Sequence, residues 1–364
     1  MPAVPLYLSH MNSKMMFSRG SKAIVVATAV SLLVLTSCST LKKTLHISTK
    51  PTPPVITYNS ISGRVGTDGP VLVVKIDDTA QAHPQIGLDR ADLVYIEEVE
   101  GGLTRLAAVF SSQIPAQIGP VRSARISDID LLSQYGHVAF AYSGAQSRMF
   151  PVIASANLEN LGAQRESPTI YTRDTIRFAP VNLILQANLL MSKLVDQKIS
   201  IVTSKNMGWT FGPAPVGGEP VLSVKLKWPA NTYTAIWSPT ESRWLLVHAD
   251  NPDFAADGGQ LGPTTLVIQI VSITPSKYHD KFGGVTPFSA TIGSGTGYVL
   301  RDGLAFKAMW SRSDATSGTT WTLPDGTPIP FAGGQVWVAM TDSLPVFTLP
   351  SPPPSASASP TATK

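Results

Sequence analysis

Cysteine is nearly absent from this sequence. Cys38 is the one cysteine among 364 residues, which excludes an intramolecular disulfide framework and any thiolate metal site or catalytic thiol elsewhere. Charged residues are also scarce, at 14% of the chain. The formal net charge is +4, but three of the cations lie in the first 37 residues, which contain no Asp or Glu. The remainder is close to neutral, so the composition predicts no nucleic-acid partner.

Familiar catalytic and metal-binding motifs are missing as well. The six histidines are scattered, and no two have HxxxH or HExxH spacing. No GxSxG motif is present. The glycine-rich run 293–297 lacks the Lys-Ser/Thr that follows a phosphate-binding loop, and we reject it as one. The sequence therefore predicts no metal and no cofactor, and it favours a non-enzymatic protein while leaving catalysis open.

The N-terminus carries the most specific signal in the chain. Lys14, Arg19 and Lys22 precede the apolar run Ala23–Leu35. This run is typical of a signal peptide and too short for a comfortable membrane span, so residues 1–37 are predicted to be a signal peptide. The tetrapeptide ending at Cys38 resembles the lipobox of bacterial lipoproteins, in which cleavage precedes the cysteine and its thiol is acylated. The alternative is an ordinary secretory signal with a chance cysteine. We expect Cys38 to be lipidated and to hold the chain in membrane lipid, on the extracytoplasmic face of the cell membrane.

Both ends of the mature chain have the composition of unfolded segments. Residues 38–69 are polar, include three prolines and show no sustained periodicity, so we predict a lipidated N-terminus followed by a flexible tether. Residues 346–364 are dominated by Pro, Ser, Ala and Thr. Such a composition buries little apolar surface, and this tail is predicted to be disordered.

Residues 70–204 are predicted to form a mixed α/β domain. Apolar runs bounded by turn residues indicate strands at 71–76, 92–98, 104–111 and 137–142. Glu100-Gly101-Gly102 favours a hairpin between the second and third of these, since glycine tolerates positive φ. Helical spacing predicts helices at 126–135, 144–156 and 179–194.

Residues 205–345 have a different texture, with β-branched and aromatic runs between Gly- and Pro-containing turns. Strands are predicted at 221–228, 233–237, 243–248, 264–273, 298–301, 304–310 and 336–340. This predicts a smaller, mostly-β C-terminal domain, either a small barrel or a sandwich. The fold class is therefore α+β, with the mixed α/β domain first.

Several charged residues could bind a ligand, and they lie between the first predicted strand and the helix predicted at 126–135. The candidates are Asp77, Asp78, Glu98, Glu100, Arg105, Arg122 and Arg125. Arg122 and Arg125 follow a Gly-Pro turn and precede a helix N-terminus, a setting that suits a phosphate or a carboxylate. Arg105 follows the Gly-Gly turn and could converge on the same place. The alternative is that each arginine pairs with a nearby acid, for instance Arg122 with Asp128 or Arg105 with Glu98.

The acidic candidates allow two further interpretations. Asp77 and Asp78 end a predicted central strand, where open α/β sheets place ligands. Together with the glutamates they could hold a divalent cation or act as acid and base on a glycan. Adjacent residues of an extended chain point to opposite faces, however, so only one aspartate can face a given pocket. Caps and turn partners are the simpler interpretation of these carboxylates.

Several phrases of the sequence resemble the YerB-like bacterial lipoproteins, a two-domain family of unknown function. They are Lys75-Ile76-Asp77-Asp78, Ala91-Asp92-Leu93-Val94-Tyr95, Glu100-Gly101-Gly102-x-Thr104-Arg105, Gly119-Pro120-Val121-Arg122-Ser123-Ala124-Arg125 and Gly334-Gln335-Val336-Trp337-Val338. The resemblance covers roughly residues 70–341. It implies a lipoprotein with an N-terminal α/β domain and a β-rich C-terminal domain, and it implies no known activity. The sequence departs from the family pattern at Asp78, usually Asn, and at Val181, often His.

These observations leave three hypotheses. The leading one is a membrane-anchored extracytoplasmic lipoprotein that binds a cell-envelope ligand or protein partner through the candidate residues. The second is an envelope hydrolase acting on a glycan or phosphate ester with Asp and Glu as acid and base. The third is a scaffold whose β domain docks a partner.

Overall fold

A computed structural model describes residues 56–351. The predicted signal peptide, Cys38, the first part of the predicted tether and the tail from residue 352 lie outside this range. The described residues belong to one compact unit. None of their helices has both the length and the apolar character needed to cross a membrane.

Strands dominate the described residues, and the helices are few and short. The strands are β1 Leu72–Asp77, β2 Leu93–Glu98, β3 Thr104–Phe110, β4 Gln117–Ile118, β5 Val138–Tyr142, β6 Leu158–Gly162, β7 Tyr171–Arg173, β8 Leu183–Gln186, β9 Glu219–Pro220, β10 Ser223–Trp228, β11 Asn231–Ser238, β12 Arg243–His248, β13 Asn251–Pro252, β14 Thr265–Ile270, β15 Ile273–His279, β16 Val285–Ser289, β17 Gly293–Arg301, β18 Leu304–Arg312, β19 Thr320–Thr322, β20 Val336–Thr341 and β21 Val346–Thr348. The α-helices are α1 Ser127–Ser133, α2 Phe150–Ser155 and α3 Ala187–Asp196.

A mixed sheet of eleven strands runs through both halves of the chain. Its order is β19-β18-β17-β14-β20-β2-β3-β1-β5-β6, with β9 paired to β18. The halves join where β2 runs parallel to β20, with Leu93 opposite Val336 and Ile96 opposite Ala339. Strands β1, β2 and β3 are buried on both faces almost throughout, which explains their continuous apolar runs.

A second sheet, ordered β13-β12-β11-β10-β21, covers one face of the large sheet. Val224, Leu226 and Trp228 of β10 are buried, while Lys225 and Lys227 between them are exposed. Because side chains alternate along a strand, one face of this sheet is apolar and packs on the large sheet. The prediction of an α+β fold with a mostly-β C-terminal region is confirmed.

The opposite face of the large sheet is covered by α1, α2 and the β15–β16 hairpin. Leu131 and Leu132 of α1 pack in a core cluster with Val73 of β1 and Val109 of β3. The large sheet is therefore sandwiched between two apolar layers. At one end of β1, a group of charged side chains replaces the apolar side chains in each of these two layers.

Three predicted boundaries are wrong. Only the second half of the predicted helix 179–194 is helical, because Leu183–Gln186 is a strand that pairs with β4 and β7 and the helix begins at Ala187. A short apolar run does not distinguish a buried strand from a helix by periodicity. Folded structure begins before residue 70, since Ile61 and Ser62 are fully buried. It also continues past 345, because β21 pairs with β10.

The predicted hairpin at Gly101-Gly102 is present, and both glycines have φ of 70°. The hairpin β15–β16, by contrast, was not predicted as one, because both strands contain a proline and most of β15 is exposed.

Candidate functional site

The end of β1 positions the acidic candidates. β1 lies between β3 and β5, and its last residue, Asp77, is the Cα partner of Arg105 on β3. Glu97 on β2 is also opposite Arg105. Directly opposed side chains share one face of a sheet, so these three residues lie on the α1 side. Asp78 is directed to the other face, as the alternation predicted.

The segment 119–125 crosses the end of β1 and carries two of the three arginines. The N–H of Asp77 donates to the carbonyl of Pro120 at 2.9 Å, and the N–H of Arg122 donates to the carbonyl of Lys75 at 2.8 Å. These backbone bonds hold the segment against the strand end. The arginines of this segment line one cleft together with Arg105.

Arg125 forms a two-donor ion pair with Glu100. Its Nε and Nη2 donate to Glu100 Oε2 at 2.8 and 2.6 Å, and the Thr286 hydroxyl donates to the other carboxylate oxygen. Burial acts to raise the pKa of Glu100, but the Arg125 charge and these hydrogen bonds outweigh it and lower the pKa. The Arg125 N–H donates to Asp128 Oδ2 at 2.6 Å, which fixes the backbone below the guanidinium.

Arg122 is paired too, with Asp77 through its Nε. The other oxygen of Asp77 accepts hydrogen bonds from the N–H and hydroxyl of Thr79, at 2.7 and 2.6 Å. About a quarter of the Arg122 side chain remains exposed, 24% by area. The alternative that an arginine pairs with a nearby acid is thus correct for Arg122 and Arg125. The partner of Arg122 is Asp77, however, and not Asp128.

Arg105 is different, because among residues 56–351 no carboxylate lies within 4.0 Å of its guanidinium. Within the described part of the chain, its guanidinium makes one hydrogen bond, from Nη1 to the carbonyl of Ser123 at 3.1 Å, although the residue is only 9% exposed. Burial, then the charges of Arg125 and Arg122, lower the pKa of Arg105 to about 9. It is therefore still protonated at neutral pH, and its charge is poorly compensated.

The three guanidiniums face a cleft of about 490 Å³, within the range of small-molecule sites. We call it the arginine cleft. Its outer wall is the tip of the β15–β16 hairpin, where Lys281 and Phe282 stand beside Asp280. Four cationic side chains and two carboxylates, Glu100 and Asp280, line it. The cleft therefore has an excess of positive charge.

Beneath the cleft lies a fully buried triad of titratable side chains, which was not predicted from the sequence. Lys75 Nζ contacts Glu97 and lies 2.9 Å from Asp128 Oδ1, and all three side chains have no exposed surface. Burial and the nearby Asp128 charge raise the pKa of Glu97 to about 8, against the opposing effect of Lys75. The triad ties β1 and β2 to α1 under the arginines.

Asp78 belongs to a second polar cluster, on the other face of the sheet. It accepts hydrogen bonds from Tyr233 at 2.5 Å, from Asn231 at 3.2 Å and from Thr104. His83 Nε2 lies 3.5 Å from Asp78, while its Nδ1 lies 2.8 Å from Asp253. Burial acts to lower the pKa of His83, but the two carboxylates raise it to about 10. His83 is thus an imidazolium held between two buried carboxylates.

The same cluster offers a possible metal-ligand set, since Asp78, His83 and His248 have ligand atoms within 4.8 Å of one another. A metal ion must lie close to the plane of each imidazole that binds it. The rings of His83 and His248 are stacked, with centroids 4.1 Å apart and planes inclined by 24°, so their in-plane lone pairs do not converge on one point. The residues fit an ion-paired histidine better than a shared metal.

Glu98 lies apart from the arginine cleft. Its neighbour Glu97 faces the triad, and Glu98 lines a separate shallow groove with Gly102, Pro229 and Asp342. Burial and the Asp342 charge raise the pKa of Glu98. It is not a partner of Arg105, which leaves five of the seven candidates around the arginine cleft.

Sequence reasoning missed the residues supplied from far along the chain. Thr286 and Phe282 reach the cleft from a hairpin about 180 residues beyond Glu100, and His83 meets Asp253 across 170 residues. No local spacing encodes these contacts. The one signal available was Lys75, a lone cation inside an apolar strand, because a buried lysine requires acidic partners.

Comparison with known proteins agrees with this architecture. The chain is 22% identical over 280 residues to the Bacillus subtilis (strain 168) protein named "Putative lipoprotein YerB", covering 76% of this chain and 82% of that protein. It is also similar to the crystal structure of YerB protein from Bacillus subtilis, with a TM-score of 0.68 and 18% identity. That match covers 80% of this chain and 99% of the solved one. The structural match supports the fold.

Two domain models of one protein family match this chain. The N-terminal domain of the protein of unknown function DUF3048 matches residues 58–200, and its C-terminal domain matches residues 224–338. These ranges include every residue of the arginine cleft and of the buried triad. The predicted resemblance is confirmed: the chain is homologous to YerB and belongs to the two-domain DUF3048 family, whose function is unknown.

Proposed function

We propose that this protein is a membrane-anchored extracytoplasmic lipoprotein that binds an anionic ligand in the arginine cleft. The observation that carries the proposal is Arg105, whose buried guanidinium lies at the wall of an open cleft and has no carboxylate partner among the described residues. A phosphate or carboxylate would supply the missing charge. Arg122 and Arg125 are held in place by Asp77 and Glu100, and their remaining N–H groups would donate further hydrogen bonds to such a ligand.

The carboxylates of the cleft favour binding over hydrolysis. Glu100 is held ionised by Arg125 and Thr286, which does not suit a general acid. Glu97 has the raised pKa that an acid catalyst needs, but its side chain is fully buried beneath the cleft. The hydrolase hypothesis therefore has less support.

A thermal-unfolding measurement with inorganic phosphate tests the binding proposal. Phosphate at about 100 times its Kd should stabilise the fold by roughly 2.7 kcal/mol. Arg105→Gln should abolish this stabilisation, whereas Lys225→Gln, which removes an equal charge from an exposed strand position, should preserve it. Equal stabilisation of both variants, or none in the parent chain with phosphate, sulfate and acetate, would contradict the proposal.

The anchor is proposed from the lipobox-like sequence at Cys38 and from the name of the Bacillus relative. Cys38→Ser should move the protein from the membrane fraction to the soluble fraction of cells. Retention of the variant in the membrane would contradict lipidation at this position. Because the described fold does not include Cys38, this experiment is independent of the phosphate measurement.

A further inference from the structure

A second cleft adjoins the arginine cleft, and the Arg122 side chain lines both. It has a volume of about 590 Å³ and is formed largely by loop 174–181, including Ile176, Phe178 and Val181. Its own cation, Arg177, is occupied by Asp174 and by the carbonyl of Ala82. The positively charged surface is therefore in the arginine cleft, on one side of Arg122, and the apolar surface is in the second cleft, on the other side.

Three large apolar side chains project into solvent around these two clefts. Ile176 is 88% exposed, Phe178 86% and Phe282 84%. Isolated exposed apolar residues are ordinary, but Ile176 and Phe178 line the second cleft and Phe282 lines the arginine cleft, so all three belong to two clefts that share Arg122. Apolar side chains beside a cationic pocket match the chemistry of a bilayer surface, where an anionic headgroup lies next to acyl chains.

We propose that the arginine cleft binds the phosphate of an anionic phospholipid headgroup, with Ile176, Phe178 and Phe282 inserted into the surrounding bilayer. This proposal rests on the proposed function, since it names the source of the anion. Charge complementarity favours a lipid over a second copy of this chain, because the lining of the arginine cleft has an excess of cations and would repel its own copy. A lipid anchor at Cys38 would keep such a surface close to the membrane.

The test uses the chain from Ser39 onward, which keeps every described residue and removes the acylation site. It should sediment with vesicles containing equal amounts of phosphatidylglycerol and phosphatidylcholine, and it should remain in solution with phosphatidylcholine alone. Ile176→Ser and Phe178→Ser should each weaken vesicle binding about tenfold, since burial of one large apolar side chain is worth about that factor. Val216→Ser is the matched control, because Val216 is 95% exposed and lines neither cleft. Arg105→Gln should abolish the preference for phosphatidylglycerol.

The remaining outcomes separate the two proposals. If inorganic phosphate stabilises the chain through Arg105 but vesicles do not bind, the lipid proposal fails and the anion site stands. If neither phosphate nor vesicles bind, both fail. Vesicle binding that is insensitive to Arg105→Gln and Phe178→Ser overturns the lipid proposal in favour of non-specific adsorption. A dimer in sedimentation velocity that Phe178→Ser converts to a monomer would instead assign the surface to a second copy.

Discussion

Arg105→Gln should leave the ligand-free protein as stable as the parent chain, or more stable. Burial lowers the pKa of Arg105 from its ordinary value to about 9, which corresponds to roughly 5 kcal/mol of unfavourable interaction for the charged form at 1.36 kcal/mol per pH unit. Effective interactions in proteins are weaker than such figures, and glutamine leaves some empty volume. We therefore expect a gain in the free energy of unfolding of about 0–2 kcal/mol at pH 7.

Arg125→Gln is the matched comparison. It removes the same charge a short distance away, but it leaves Glu100 buried without its partner, which should cost about 3–5 kcal/mol. Urea unfolding of the parent chain and both variants in phosphate-free buffer measures the difference. A loss for Arg105→Gln as large as that for Arg125→Gln would show that Arg105 has a structural role, and it would remove the main argument for an anion site.

Three further predictions concern the rest of the fold. Lys75→Met should destabilise the protein by about 3–5 kcal/mol, because the Asp128 carboxylate would remain buried without a cation, and adding Asp128→Asn should recover part of this loss in urea unfolding. Because the pKa of His83 is raised to about 10, its contribution to stability is complete below about pH 6.5 and is lost as the pH rises to 10. The urea midpoint of the parent chain should therefore fall over this pH range, and the midpoint of His83→Gln should fall less. Equal pH dependence of the two midpoints would contradict the Asp78–His83–Asp253 arrangement. Gly102→Ala should lower the free energy of unfolding more than Gly101→Ala. Both glycines have φ of 70°, but an added Cβ at Gly102 would lie 2.4 Å from Pro229, whereas one at Gly101 would meet nothing within 4 Å. Gly101→Ala should cost about 1–2 kcal/mol for backbone strain alone, and equal losses in urea unfolding would contradict this packing.

The sequence predicted most where chemistry is local. Strand alternation correctly separated Asp77 from Asp78, and the Gly101-Gly102 turn fixed the hairpin that places Arg105 opposite Glu97. It could not predict which carboxylate pairs with which arginine, since that depends on the register between β1 and the crossing segment 119–125. Arg122 thus pairs with Asp77.

Long-range contacts were out of reach for a related reason. The helix predicted at 179–194 was wrong in its first half because Leu183–Gln186 is buried as a strand between β4 and β7, and β4 lies far earlier in the chain. The ion pair between His83 and Asp253 depends on the second sheet packing over the first. Such contacts follow from the assembled sheets and leave no periodic trace in the chain.

The parallel pairing of β2 with β20 has a consequence for how the protein is made. Leu93 finds its partner Val336 only after roughly 240 further residues have been synthesised. Until then the nascent chain carries an apolar strand with one unpaired edge, a surface that invites wrong partners. Sheets closed by such distant segments also fold slowly. The first half of this protein therefore depends on the last part of its own chain to arrive before it is protected from aggregation, so a premature stop before residue 336 should yield an insoluble product.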